Sequence, residues 1–175
     1  AKGVEVLFFT DTIDDFWLQN AMDFDGKAFK SVTKGDIDLD GETKEDANEE
    51  ETDAHKDFLE ALREVLDDDV SDVRISKRLT DSPVCLVAPD DGVDMHMERM
   101  LKLQQQYSPP SKPVLEVNAG HALIQKLEQM GAKDAAFADA AALLFDQAKI
   151  IQGEPVKDAA AFARRMGAFM ARGLG

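Results

Sequence analysis

Positive charge is scarce in this sequence: 20 lysines and arginines stand against 35 aspartates and glutamates, a formal net charge of −15. Nucleic acid and anionic membranes both recruit basic surfaces, so neither is an expected partner. Cysteine is all but missing. Cys85 stands alone and cannot close an intrachain disulfide, which fits a reducing, cytoplasmic setting. No apolar run approaches the roughly 20 residues needed to cross a bilayer, and the N-terminus has no h-region of a secretory signal. A glycine-rich phosphate loop is lacking too: Asp25-Gly26-Lys27 is a turn with neither the glycines nor the Ser or Thr of a P-loop. The three histidines, His55, His96 and His121, fall on different predicted elements and share no metal-ligand spacing with one another or with Cys85. A cysteine–histidine hydrolase would need one of them beside Cys85 and a third group to orient it. The residues themselves therefore predict no catalytic group, cofactor site or metal site. A small acidic α+β enzyme working through Cys85 or a carboxylate is the alternative.

What is plentiful is apolar helix near the C-terminus. Asp134 to Ile151 carries Phe137, Ala140, Ala141, Leu143, Leu144, Phe145, Ala148, Ile150 and Ile151, so it is apolar nearly all round. A surface helix needs one apolar stripe, and a helix without a polar face must be covered on more than one side. After Gln152-Gly153-Glu154-Pro155, a second helix over Val156 to Arg172 carries Phe162, Met166, Phe169 and Met170 at helical spacing, with Arg164, Arg165 and Arg172 as its wet face. In 175 residues such a pair lacks partners of its own. A second copy would supply them, giving a four-helix bundle across a two-fold axis. An ordinary helical hairpin closing a monomeric core is the other solution.

Upstream, Val4 to Thr10 reads as a strand buried on both faces, as in a parallel sheet. A helix follows to about Met22, then a turn at Asp25-Gly26 and a strand over Ala28 to Thr33. This βαβ unit has no further strands to complete its sheet and reads as the end of a preceding α/β domain, covering 1–34. Residues 35–52 form an acidic linker: Lys34 to Asp53 holds ten acidic residues and almost nothing apolar. Asp36 to Gly41 imitates the opening of a calcium-binding loop, but the required twelfth-position Glu falls at Ala47. Residues 53–175 predict a small α+β domain. A helix from Asp53 to Leu66 buries Phe58, Leu59, Leu62, Val65 and Leu66. Val70 to Leu79 and Pro83 to Ala88 alternate as an antiparallel pair, and Pro113 to Asn118 makes a third strand. Asn118 is a suitable cap for a helix from Gly120 to Met130, which Gly131 ends. Between the second and third strands, Asp90 to Tyr107 predicts a helix with Val93, Met97, Met100 and Leu101 in one narrow stripe. That stripe either packs on the sheet or serves as an adhesive surface, since methionine adapts to many apolar partners.

Several runs resemble a known family. Gly3-Val4-Glu5-Val6-Leu7, Asp11-Thr12-Ile13-Asp14, Phe24-Asp25-Gly26-Lys27 and Ser31-Val32 are similar to the end of the middle domain of heat-shock protein 90 chaperones of the bacterial type (the high-temperature protein G branch). The likeness continues through Asp72-Val73-Arg74, Arg78-Leu79-Thr80-Asp81-Ser82-Pro83, Glu116-Val117-Asn118 with His121, Leu144 to Ala148 and Phe162 to Met166. It covers nearly the whole chain except the acidic linker. The resemblance implies the end of a middle domain followed by a complete C-terminal domain, which is the family's constitutive dimer contact. On that basis Phe137, Ala141, Leu144, Phe145, Ala148, Phe162, Met166, Phe169 and Met170 are the expected homodimer interface. The family exposes an amphipathic helix to unfolded or partly folded client proteins, and Val93, Met97, Met100 and Leu101 fall on it, which favours the adhesive reading. A middle-domain helix also touches clients. Phe16 occupies the place of its usual aromatic, and Trp17 stands one position on. ATP and magnesium would be used elsewhere in a longer protein, so this portion is expected to need no cofactor and to hydrolyse nothing.

Overall fold

Phe58, Leu59, Leu62 and Leu66 recur at helical spacing, and a helix buries all four. The computed structural model describes residues 7, 13–14, 17, 21, 23–29, 54–89 and 112–174. The backbone divides into two units, residues 1–43 with 88–111 and residues 44–87 with 112–175. The acidic linker, the Met-stripe helix and most of the strand expected at Val4 to Thr10 lie outside the described residues.

In the first unit, Ile13, Asp14 and Trp17 are helical, and the Ala21 amide donates to the Trp17 carbonyl at 2.8 Å. Strands β1 (Asp23–Phe24) and β2 (Lys27–Ala28) pair antiparallel. Between them Asp25 and Gly26 both have positive φ, 52° and 73°, the backbone sense of a two-residue hairpin turn. The turn lies where the sequence places it. The strand predicted from Ala28 onward instead begins at Lys27, as the second arm of this hairpin. Two strands joined by only two residues must run antiparallel, and a two-residue signal is too short for periodicity to catch.

The second unit holds α1 (Lys56–Val65), β3 (Asp72–Ile75), β4 (Val84–Val87), β5 (Val114–Val117), α2 (Ala122–Met130), α3 (Phe137–Ile151) and α4 (Ala159–Leu174). This is the α+β arrangement expected, a small three-stranded sheet with helices on it. One pairing differs. The sheet order is β3-β5-β4, with β5 parallel to β3 and antiparallel to β4. The predicted hairpin between the first two strands does not form, because β5 runs between them.

The reason lies in residues 76–83. Ser76 Oγ accepts from the amides of Arg78 and Leu79 at 3.3 and 3.2 Å, which ends β3 short of the predicted Leu79 and curls the chain aside. The Asn118 side-chain amide donates to the carbonyls of Thr80 and Ser82, both at 3.2 Å. The Asn118 backbone amide donates to Pro83 at 2.8 Å. The loop is thereby pinned at the end of β5 rather than closing a hairpin. The acceptor Oδ1 of Asn118 takes the Gly120 amide at 3.1 Å in the turn before the helix, and α2 is capped by His121 instead, whose Nδ1 accepts from the Leu123 amide at 3.1 Å. Gly131 ends α2 with φ 75°, as expected.

The strand register sorts the sheet residues by face. Val73, Ile75, Val84, Leu86, Leu115 and Val117 share one face, and all six are buried. α1 lies against β3, and α3 against both α1 and β4. Phe58 meets Phe137 edge to face with ring centroids 6.3 Å apart. Val65, predicted on the inner face of α1, is 40% exposed, because it falls between the buried line of 58, 62 and 66 and solvent.

Candidate functional site

α3 is covered on two opposite sides, as its composition requires. At 100° per residue, Phe137, Ala141, Leu144, Phe145 and Ala148 form one face. They are between 0% and 7% exposed within a single copy. The opposite line carries Asp139 and Asp146 and meets α4, where Arg165 Nε donates to Asp139 Oδ1 at 2.9 Å. Asp134 starts the helix by accepting from the Ala136 amide at 2.8 Å through Oδ1. The end is a Schellman turn: the Glu154 amide donates to Lys149 at 2.9 Å and the Gly153 amide to Ile150 at 2.9 Å, with Gly153 at φ 75°. Gln152 Nε2 donates to the Leu86 carbonyl at 2.7 Å, which fixes this turn to β4.

α4 is different. Asp158 caps it through Oδ1 to the Ala161 amide at 2.9 Å, and that bond holds the Asp158 carboxyl below its usual range. Of its 16 residues only Ala161 is buried. Ala161 and Arg165 lie on the side toward α3. Phe162, Met166, Phe169 and Met170 lie on an adjacent stripe, turned away from that contact by about a quarter to half of a revolution. Phe162 and Phe169 are half-buried, Met166 is 39% exposed and Met170 57%. Ile150 and Ile151, at the end of α3, are 50% and 61% exposed. A soluble fold seldom leaves a run of large apolar side chains in water unless something covers it.

The residues expected at a dimer interface thus fall into two sets. Phe137, Ala141, Leu144, Phe145 and Ala148 are core within one copy. Phe162, Met166, Phe169 and Met170 line the outer stripe of α4, and Ile150 and Ile151 are exposed at the end of α3. Of the residues expected to touch clients, Trp17 is 49% exposed and meets Phe29 edge-on at 5.9 Å. Phe16, Val93, Met97, Met100 and Leu101 lie outside the described residues.

A second polar feature crosses the other face of the sheet. Register aligns Arg74, Glu116 and Cys85 in one row. The Glu116 side chain is 4% exposed and accepts from Arg78 Nε at 2.9 Å, Arg74 Nη2 at 3.3 Å and Ser76 Oγ at 3.0 Å. Cys85 Sγ lies 3.7 Å from Glu116 and 3.8 Å from Arg78. Burial, and then the Glu116 charge, push its thiol up to about 11. A nucleophilic cysteine needs the opposite shift. His55 is engaged by Glu128 at 2.7 Å and His121 by its cap, so neither orients Cys85. Among the described residues no cluster of His, Cys, Asp and Glu could hold a metal ion. No described helix is long and apolar enough to cross a membrane.

Comparison with known proteins bears on this geometry. Residues 1–175 match the family model described as Hsp90 protein. The chain is 44% identical over 173 residues to the "Chaperone protein HtpG" of Alkalilimnicola ehrlichii, covering 97% of this chain and 26% of that protein. It is 47% identical over 180 residues to that of Roseobacter denitrificans, covering 97% and 29%. For that of Rhizobium meliloti the figures are 46% over 179 residues, covering 99% and 28%. The chain spans little more than a quarter of the length of these curated relatives.

Proposed function

The chain belongs to the heat-shock protein 90 family, and from that premise we propose that it is the dimerisation and client-binding portion of an ATP-dependent molecular chaperone. The observation that carries the dimer reading is the open face of α4. Phe162, Met166, Phe169 and Met170 form a continuous stripe that one copy covers only in part, with Met166 39% and Met170 57% exposed. A second copy presenting the same stripe covers both at once, and two-fold symmetry makes such a face self-complementary. A stable contact would bury roughly 1,000–2,000 Å² in total. In this reading the α3 residues Phe137, Ala141, Leu144, Phe145 and Ala148 set the position of α4, and the α4 stripe makes the contact.

The mechanism is mechanical. One permanent contact tethers two arms, so that closure of the remaining domains becomes effectively intramolecular. Residues 1–34 belong to the end of a middle domain, 35–52 to a linker and 53–175 to the dimerising domain. ATP and magnesium are handled in parts of the longer protein that its relatives possess and this chain does not span. Clients, which are unfolded or partly folded proteins, meet Val93, Met97, Met100 and Leu101, together with Phe16 or Trp17. The exposure of Trp17 supports that part of the reading.

Sedimentation velocity over a dilution series tests the core of the proposal. The 175-residue chain is expected to sediment as a dimer, and Phe169→Asp as a folded monomer with unchanged helical circular dichroism. A dimer of undiminished affinity in that variant would remove the α4 stripe from the interface. Client capture is tested separately. Met97→Ser with Met100→Ser should weaken binding of a permanently unfolded protein severalfold while sedimentation stays dimeric; equal client affinity would reject the adhesive stripe.

A further inference from the structure

One side-chain hydrogen bond ties the helical hairpin to the sheet, and it is made at the outer edge of β4. In the order β3-β5-β4, β4 is an outer strand. The Asn118 amide donates to the Pro83 carbonyl, a pair that extends the β4–β5 register by one step. Hydrogen-bonded pairs alternate along an antiparallel ladder, so the backbone groups of residues 83, 85 and 87 face β5. The Leu86 carbonyl therefore points the other way, out of the sheet. Leu86 is buried, and a buried carbonyl needs a donor. Gln152 Nε2 supplies it at 2.7 Å, across 66 positions of sequence.

The place of this bond matters because little else directs α4. Gln152 closes α3: its own amide donates to Ala148 at 3.2 Å, and the turn through Gly153 and Glu154 follows at once. It stands at the root of the chain that leads into α4. α4 itself rests on α3 and buries only Ala161. The ion pairs that steady this end of the chain lie at the surface, Arg165 with Asp139 at 2.9 Å and Lys157 with Asp69 at 3.4 Å. Such pairs hold a geometry weakly. Gln152 is half-buried and its acceptor is a backbone carbonyl of the sheet, so it fixes the turn to the most rigid part of the unit. We infer that Gln152 is a positioning residue for the two-fold contact. It is no part of the α4 stripe, yet it holds α4 in the direction in which the stripe meets its copy. A surface held in its bound direction before association gives up less freedom on binding. This rests on the dimer reading above and adds to it a residue that acts from outside the contact.

The dimer dissociation constant of the 175-residue chain tests it, with Gln152→Leu and Gln152→Lys as variants. Leucine keeps much of the bulk and removes the donor, whereas lysine keeps a long side chain that can donate. Gln152→Leu should raise the constant about tenfold, with unchanged helical circular dichroism. Gln152→Lys should stay within about twofold of the wild-type constant. A wild-type constant in Gln152→Leu, with only its urea midpoint lowered, would overturn the positioning role and leave a bond that steadies the single copy. An equal rise in both variants would refute the donor as its cause. A wild-type chain that stays monomeric at every concentration would instead remove the dimer reading itself. Should Gln152→Leu fail to fold, Gln152→Asn decides the matter, since it carries the same amide one methylene short of the Leu86 carbonyl. A severalfold weaker dimer supports the role, and an unaltered one refutes it.

Discussion

Among the described residues two acids are buried, and they are treated differently. Glu116, 3% exposed on the central strand, receives two arginines and a serine hydroxyl from its own copy. Asp146, 8% exposed on α3, receives none, and its oxygens keep contact with solvent, with Arg165 and Lys149 nearby. The first is a closed account of charge, complete when one chain has folded. The second lies against a helix whose outer stripe is still open to water. The same contrast separates the two helices of the hairpin: α3 is buried on opposite sides, while α4 contributes one buried residue. Structure that one chain finishes lies on the sheet and on the inner side of α3; the outer stripe of α4 stays partly open to water.

The sharpest way to break this contrast is at Glu116. Glu116→Ala leaves Arg74 and Arg78 without their shared acceptor in a largely dry site, a change expected to cost about 3–5 kcal/mol of protomer stability. Urea denaturation of the variant at dimer-independent concentration would measure it. A loss below about 1 kcal/mol would mean that the arginines find water at no cost, as at an exposed ion pair. Next in size is the pair Leu144→Ala and Met170→Ala. Leu144 is 3% exposed, so its truncation should cost about 2–5 kcal/mol in a single copy. Met170 is 57% exposed, and its truncation should alter the single copy by less than about 0.5 kcal/mol while measurably weakening the dimer. Equal effects of the two on protomer stability would erase the distinction between inner and outer residues.

How much of this was visible in the sequence follows from the range of each signal. The helices were legible because Phe58, Leu59 and Leu62, or Phe162, Met166 and Phe169, repeat within a few residues. The need for α3 to be covered twice was legible from its lack of a polar face. Strand order was not. Alternation at 72–75 and 84–87 suggests a hairpin, whereas what decides the topology is Asn118 reaching back to Thr80 and Ser82, a contact spanning some 38 residues. Glu116 within Val114-Leu115-Glu116-Val117 was a usable clue: a charge inside an apolar strand demands a buried counter-charge, and Arg74 and Arg78 were available. Of the nine apolar residues expected at an interface, five are buried within one copy and four lie on α4, a division that periodicity cannot carry because it does not say which face of a helix its neighbours will take.

The smallest expected effect concerns the sign of a pH dependence. Burial holds the Asp146 carboxyl above its usual range, with Asp69 and Asp158 adding to the shift and Arg165 and Lys149 opposing it. In a single copy the folded chain therefore binds the proton more readily than the unfolded chain. Stability then rises as pH falls toward the ordinary carboxylate range, and declines as pH climbs through the raised folded value. Asp146→Asn should abolish that slope. Measured by urea denaturation on a Phe169→Asp background, mild acid should therefore firm the fold by a small margin. A slope that Asp146→Asn leaves unchanged would place the titrating group elsewhere in the protomer.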